Sequence, residues 1–189
     1  NPGAKGKGTL VVLNDEIHYA RNVVKTNTTT VQTFVSINRG PAGVVNTGKI
    51  QWFEPMDRKV GPATGFSIDA LDKLPRVDVI YAHANMSADL IDAAIKNGAK
   101  GLVIAGVGDG NMTTPALDAV TRAAKNGIVV VRSTRLASGI TLRNNEVNDD
   151  EKGLVASGEL NPAKSRVLLQ LALTKTNDPV QIQRMFYEY

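Results

Sequence analysis

Residues 76–132 read RVDVIYAHANMSADLIDAAIKNGAKGLVIAGVGDGNMTTPALDAVTRAAKNGIVVVR, and the alternation within this stretch decides the fold. The apolar run at 77–82 has strand length and composition. Ser87 then caps a helix that carries Leu90, Ile91, Ala94 and Ile95 on one face, and Asn97-Gly98 stops it with residue types that tolerate left-handed backbone. A second strand follows at 102–105. Thr114 and Pro115 open a second helix with Leu117, Val120 and Ala124 spaced for burial, Asn126-Gly127 ends it, and a third strand runs through 128–132. Two strand-helix-strand units in succession predict a parallel sheet, because parallel neighbours need helical crossovers.

Outward from this stretch, the downstream sequence predicts two more helices. Each starts with a capping side chain followed by proline, Asn161-Pro162 and Asp178-Pro179, where the missing proline N–H costs nothing. Val167, Leu168, Leu171 and Ala172 are expected to face inward on the first, and Ile182, Met185, Phe186 and Tyr189 on the second. Upstream, the first third reads as strand and turn: 9–13, a polar-apolar mixture over 17–24, 33–37, then Val44-Val45 and 49–53 around Asn46-Thr47-Gly48. No good helix is legible there. The opening NPGAKGKG reads as a loop without a starting Met or an apolar leader, so the chain is expected to begin part-way through a protein. If 9–13 is a buried parallel strand, its neighbours must come from elsewhere, and the chain alone is expected to aggregate or stay partly unfolded. Proline and glycine crowd residues 54–75, which marks a linker. The expected organisation is therefore 1–56 as the remnant of an amino-terminal domain, 57–75 as linker and 76–189 as a carboxyl-terminal α/β domain.

Composition removes several classes of function. The chain has 189 residues, 22 Lys+Arg against 18 Asp+Glu, and 42% hydrophobic residues, which is an ordinary globular profile. No run approaches the roughly 18 to 20 apolar residues of a membrane helix. Cysteine is absent, so disulfides, Cys-based zinc sites and thiol nucleophiles are excluded. With only His18 and His83, a His-rich metal site is excluded too, and any Ser-His-Asp triad must use one of the two. The net charge of +4 is dispersed, without a basic run, so nothing points to nucleic acid.

Three constellations could carry chemistry. Residues 103–111, VIAGVGDGN, are a strand running into a glycine-rich turn, the kind of edge at which parallel sheets bind ligands. The dinucleotide pattern fails because 111 is Asn and strand 128–132 leads into Ser133 without an acidic ribose ligand, and a phosphate-binding Gly-Lys-Ser/Thr is missing. Lys25 stands between an apolar pair and a hydroxyl-rich run that includes Thr26, Thr28, Thr29 and Thr30. A lysine there can be a solvated surface charge, or, if desolvated, can help strip a hydroxyl proton. Residues 143–151, dense in carboxylates and amides, do not keep calcium-loop spacing and read mainly as a solvated loop from which one carboxylate can reach a ligand ammonium.

Together the segments GTLVVLNDEIHYARNVVKTNTTTVQTF, LPRVDVIYAHANMSADLIDAAIKNGAKGLVIAGVGDGN, VVVRSTRLASG and NPAKSRVLLQLALTKTNDPVQIQRMF resemble, in order, the bacterial type II L-asparaginases and glutaminase-asparaginases. The resemblance covers essentially the whole chain. The family's Gly-Gly-Thr-Ile and His-Gly-Thr-Asp strings, which carry both catalytic threonines and the catalytic aspartate, do not occur here. The resemblance thus implies the carboxyl-terminal part of an asparagine amidohydrolase, with some action on glutamine, working through a threonine acyl-enzyme whose nucleophile lies in a missing upstream segment. It implies the end of an amino-terminal α/β domain, strands and hairpin, followed by a smaller parallel-sheet, flavodoxin-like three-layer domain. Lys25 falls on the family's catalytic lysine. Asn111 and Glu146 fall on substrate-binding residues donated to a neighbouring subunit, Glu146 facing the substrate α-ammonium. A homotetramer, a periplasmic or secreted location and no need for a metal or organic cofactor are further implications, and the chain alone is expected to be inactive. Asp109 departs from the Asn common in that turn and is expected to alter affinity or pH dependence, or to face solvent. Asn111, where glutaminase-leaning members tend to carry Ser, points toward asparagine. The reading from another class is a non-enzymatic α/β ligand-binding module that uses the 106–111 edge.

Overall fold

The computed structural model describes residues 1–53 and 55–189, so Glu54, at the head of the proline- and glycine-rich stretch, lies outside the described residues. The chain forms two compact units, Asn1–Phe66 with Tyr189 and Ser67–Glu188. In the first, the opening residues are not wholly irregular, since Pro2–Ala4 makes a 3₁₀ turn capped by the Asn1 side chain. Strand β1 (Leu10–Leu13) then turns straight back into β2 (Glu16–Tyr19). The short β3 (Val24–Lys25) and β4 (Phe34–Val35) pair with each other, while β5 (Gly43–Asn46) and β6 (Lys49–Trp52) form a hairpin. The larger sheet has the order β1-β2-β5-β6 and is antiparallel throughout.

The idea of a buried parallel strand at 9–13 is corrected here. β1 is an antiparallel edge strand, and Val12 on it is 60% exposed. The cause is the two-residue turn Asn14-Asp15, both at positive φ (51° and 62°), which matches the twist of a tight hairpin. Thr47 and Gly48 (49° and 76°) do the same for β5 and β6. At Gly43 any larger residue is excluded, because a Cβ would lie 2.5 Å from the Gln51 carbonyl oxygen of β6. Ile17, Tyr19 and Ala42, with Leu10, Val45, Ile50 and Trp52 packed against them, make the small core of this unit.

The second unit carries the elements predicted from 76–132. β7 (Val77–Tyr81), α1 (Asp89–Lys96), β8 (Gly101–Gly106), α2 (Thr114–Lys125) and β9 (Val129–Thr134) lead through the short α3 (Asp149–Lys152) to β10 (Val155–Ala156), and α4 (Pro162–Ala172) and α5 (Pro179–Glu188) follow. All strands are parallel in the order β10-β9-β8-β7. A monotone order with right-handed crossovers puts every crossover helix on the same face. Accordingly Ile91 and Ala94 of α1 and Ala116, Ala119, Val120 and Ala123 of α2 share one core with Ile80, Leu102, Ile104 and Val130. The opposite face is covered by α4, whose Leu169 comes so close to β8 that a Cβ on Gly101 would stand 2.7 Å from it. The result is three layers, helices on both faces of a parallel sheet. Each fully buried Leu, Ile or Val here contributes roughly 1.5–3 kcal/mol.

Two helix faces differ from the sequence reading. On α4, Leu168 and Ala172 are buried as expected, but Leu169 is fully buried and Val167 is 52% exposed; on α1, Leu90 is 59% exposed. Both helices touch only one face of the sheet, so the stripe that is buried is narrower than the apolar arc that periodicity alone marks. The caps of the last two helices agree with expectation: the Asn161 side chain accepts from Lys164 N–H at 3.0 Å and Asp178 from Val180 N–H at 2.9 Å. The first two differ, since α1 and α2 start after Ala88 and Thr113 without a side-chain cap, and Ser87 only accepts from Asp89 N–H at 3.3 Å. The open edge of β10 is closed by a side chain. Buried Gln183 of α5 accepts from Ala156 N–H at 2.8 Å and donates to Ala156 C=O at 3.1 Å, taking the part of a further strand. No helix among the described residues is long and apolar enough to cross a membrane.

Candidate functional site

β8 leaves the sheet at Gly106 and closes into a tight loop, with Val107 and Asn111 exchanging both backbone hydrogen bonds at 2.8 Å. The glycines are required by that closure. A Cβ on Gly106 would lie 2.4–2.6 Å from the Gly110 backbone, and Gly108 and Gly110 sit at φ 54° and 75°. The loop presents Asn111 at the carboxyl edge of the sheet, where its side-chain oxygen accepts from Met112 N–H at 2.8 Å and its Nδ2 donates to Glu146 Oε2 at 3.3 Å. Asn111 and Glu146 are 35 residues apart and both exposed, so the pair faces solvent with carboxylate lone pairs to spare.

Arg132 is what brings the two loops together. It sits on β9 with no exposed surface, and every N–H of its guanidinium has a partner. Nε and Nη2 form a bidentate ion pair with Asp149 at 2.6 and 2.7 Å, Nη1 donates to the carbonyls of Asp109 (2.8 Å) and Gly110 (3.3 Å), and Nη2 also donates to Leu142 C=O (3.1 Å). Asp149 in turn accepts from Asn144 N–H at 2.9 Å. A single buried cation thereby fastens the glycine loop, the 142–144 backbone and the start of α3. Sequence reasoning missed this pair. The available signal was a charged residue inside an otherwise apolar strand, which is retained in a core only when it is paired.

Most of residues 143–151 are exposed, as expected, but the segment is ordered by its own hydrogen bonds and runs into α3. Arg143 donates to Leu154 C=O at 3.1 Å and to Gln183 Oε1 at 2.7 Å, and pairs with Asp150; Asn144 Nδ2 donates to Asp150 at 2.5 Å. Donation from Asn144, then from Arg143, holds the Asp150 carboxyl below its ordinary pKa. A depressed folded-state pKa contributes stability that is present above the unfolded value and is lost as pH falls through the folded one. Below about pH 4 this loop is therefore expected to loosen, and Asp150→Asn to remove that share of the acid dependence. Amide exchange of residues 143–150 against pH measures it.

Lys25 belongs to the other unit. It is exposed on β3, its Nζ 6.0 Å from the Phe34 ring centroid, so burial within this chain does not desolvate it. The run behind it is ordered around buried Thr33. Its Oγ1 donates to Asn27 C=O at 2.5 Å and accepts from Asn27 N–H at 2.9 Å, and Asn27 Oδ1 accepts from the N–H groups of Thr29 and Thr30. Thr26, Thr28, Thr29 and Thr30 are exposed; the Thr26 hydroxyl donates to Thr33 C=O and that of Thr29 to Asn27 Oδ1. The same unit holds a line of Ser36, His18 and Glu16. His18 Nδ1 is 2.9 Å from Ser36 Oγ, and Nε2 is 3.2 Å from Glu16 Oε2, near enough for an ion pair but misaligned for a hydrogen bond. With His18 and Ser36 only 1% and 2% exposed, no substrate reaches that hydroxyl. His83 is exposed, its Nδ1 at 2.8 Å from Ala84 C=O.

The fold and this edge define an α/β protein that presents an amide–carboxylate pair beside a glycine loop on a parallel sheet. Residues 76–186 match the glutaminase/asparaginase C-terminal domain and residues 1–58 the asparaginase N-terminal domain. The chain belongs to the glutaminase/asparaginase family. It is 50% identical over 188 residues to L-asparaginase 2 of Bacillus subtilis (100% of this chain, 49% of the relative) and 48% over 183 residues to L-asparaginase 2 of Escherichia coli (97% and 53%). It is 46% identical over 186 residues to the probable L-asparaginase periplasmic of Haemophilus influenzae (98% and 53%). The chain spans about half the length of the curated relatives it matches.

Proposed function

We propose that the protein to which this chain belongs hydrolyses L-asparagine, and glutamine to a lesser extent, to the acid and ammonia. The observation that carries the reading is the exposed Asn111–Glu146 pair at the sheet edge in a chain of this family. Glu146 accepts the substrate α-ammonium in a charge-assisted hydrogen bond, and Asn111 orients that carboxylate and fixes the same end of the ligand. A threonine hydroxyl from residues outside this chain attacks the side-chain amide carbon, its proton passing to a base. The carbon–nitrogen bond breaks, ammonia leaves with a proton, and water then hydrolyses the acyl-enzyme. Lys25 belongs to the group that takes and shares the threonine proton, and its exposure on β3 leaves its amine open to another segment.

The organisation proposed is residues 1–56 as part of an amino-terminal domain, 57–75 as linker and 76–189 as the second domain. Asn111 and Glu146 serve a neighbouring subunit of a homotetramer, and the protein acts in the periplasm or outside the cell without a metal or organic cofactor. The naming of one relative as periplasmic supports the location.

The test is Glu146→Ala in the natural polypeptide. Losing a hydrogen bond to a charged group, worth about 1.5–3 kcal/mol, is expected to lower kcat/KM for asparagine roughly 10- to 150-fold. The variant should also lose most of the preference for asparagine over its N-acetylated analogue, which has no ammonium. An unchanged preference removes Glu146 from that role, and binding of asparagine without turnover by the wild type favours a ligand-binding module.

A further inference from the structure

The departure at Asp109 has a structural meaning. Its carboxylate does not face solvent idly: Oδ1 accepts from Leu142 N–H at 2.6 Å and Oδ2 from Asn145 Nδ2 at 2.7 Å. Asp109 stands two residues before Asn111, and Asn145 directly precedes Glu146. One carboxylate therefore bridges the turn that carries the amide and the loop that carries the acid. The residue after Glu146 is fixed as well, since Val147 is buried in the core shared by α1 and α2. Glu146 is thus clamped on both sides, by Asn145 held at Asp109 and by Val147 held in the core. Arg132 supports the bridge from beneath, binding the carbonyls of Asp109 and Leu142.

We infer that Asp109 is a positioning residue that sets where Glu146 stands relative to Asn111, and so tunes the affinity of the site for a substrate α-ammonium. The inference rests on the amidohydrolase reading given above. Asp109 reaches the ligand only through the loop it holds. A carboxylate suits the task because both partners are N–H donors and a carboxylate offers two acceptors. An asparagine at 109 offers one acceptor, which Leu142 N–H takes. Its amide nitrogen is then accommodated when the Asn145 side chain turns over to present oxygen, so the bridge survives without charge. An alanine abolishes both bonds.

The experiment compares Asp109→Ala, Asp109→Asn and Asn145→Ala in the natural polypeptide that carries this chain. Losing a positioning contact for a group that binds ground state and transition state alike raises KM more than it lowers kcat. Asp109→Ala is expected to raise KM for asparagine about five- to thirtyfold with kcat within about threefold. Asn145→Ala, which keeps the Leu142 bond, should move KM the same way by less, and stands in if the first variant does not fold. Asp109→Asn is expected to return KM to within about threefold of wild type. Amide exchange at Leu142 should quicken in Asp109→Ala and be protected again in Asp109→Asn. An unchanged KM in Asp109→Ala, or Asp109→Asn no better than Asp109→Ala, overturns the inference while wild-type turnover leaves the amidohydrolase reading standing. A wild type that does not hydrolyse asparagine overturns that reading, and the role of Asp109 with it, before any variant is compared.

Discussion

Replacing Arg132 by methionine is expected to destabilise the Ser67–Glu188 unit by about 3–5 kcal/mol, the range for removing one partner of a buried ion pair. Methionine fills similar volume, so the loss is electrostatic. Asp149, itself fully buried, keeps a charge and the Asn144 N–H but loses both guanidinium donors. The carbonyls of Asp109, Gly110 and Leu142 lose the donors that Arg132 supplied. Urea unfolding followed by tyrosine fluorescence or amide exchange of β8 and β9 measures the change, and because the pair is shielded from solvent, added salt should alter it little. The double variant Arg132→Met with Asp149→Leu separates the contributions. If charge pairing were all that mattered, the second substitution would restore stability. Since the guanidinium also serves three backbone carbonyls, recovery is expected to be partial. A destabilisation under about 1 kcal/mol in the single variant would contradict the role given to this residue.

Lys25→Met in the natural polypeptide is expected to reduce kcat for asparagine by about 10²- to 10⁴-fold, the usual worth of a positioned proton-transfer group. The Asn1–Phe66 unit should be indifferent, because Lys25 is exposed on it and lies 6.0 Å from the Phe34 ring centroid. Surface changes of this kind stay within about 0.5 kcal/mol. Unchanged thermal unfolding beside a collapsed kcat is thus the outcome that distinguishes a chemical role from a structural one. Single-turnover measurement of acyl-enzyme formation places the defect in the first step. A kcat within about tenfold of wild type would remove Lys25 from the proton transfer.

The carboxyl-terminal half of the fold was readable because each element carries its own punctuation. Asn97-Gly98 and Asn126-Gly127 stop α1 and α2, and Asn161-Pro162 and Asp178-Pro179 start α4 and α5, all through short-range bonds. What escaped reading depends on long-range placement. The Asn14-Asp15 hairpin was hidden because these residues serve loops as readily as tight turns. α3 was hidden among carboxylates that resemble a solvated loop, although Asn148 caps it by accepting from Glu151 N–H. Which side of α4 is buried depends on how the helix lies on the sheet, and so Leu169 rather than Val167 points inward. At the site, glycine spacing alone drew attention to residues 106–111, but Asn111 and Glu146 were joined only by family resemblance, since no periodicity connects residues 35 apart. Arg132 and Asp109 act through partners scattered from 109 to 149, so a charge inside an apolar strand marks Arg132 without saying what it joins.

The monotone order of the parallel strands also has a consequence for biosynthesis. Crossover helices shield one side of the sheet as each strand is made, but the other side waits for α4 and α5, which follow β10. A nascent chain whose last strand has just cleared the ribosome tunnel therefore displays a greasy flank and a bare β10 margin, until Leu169 and then Gln183 emerge to cover them. Arrest with the tunnel exit lying between residues 156 and 183 should leave a species that chaperones grip and proteases clear.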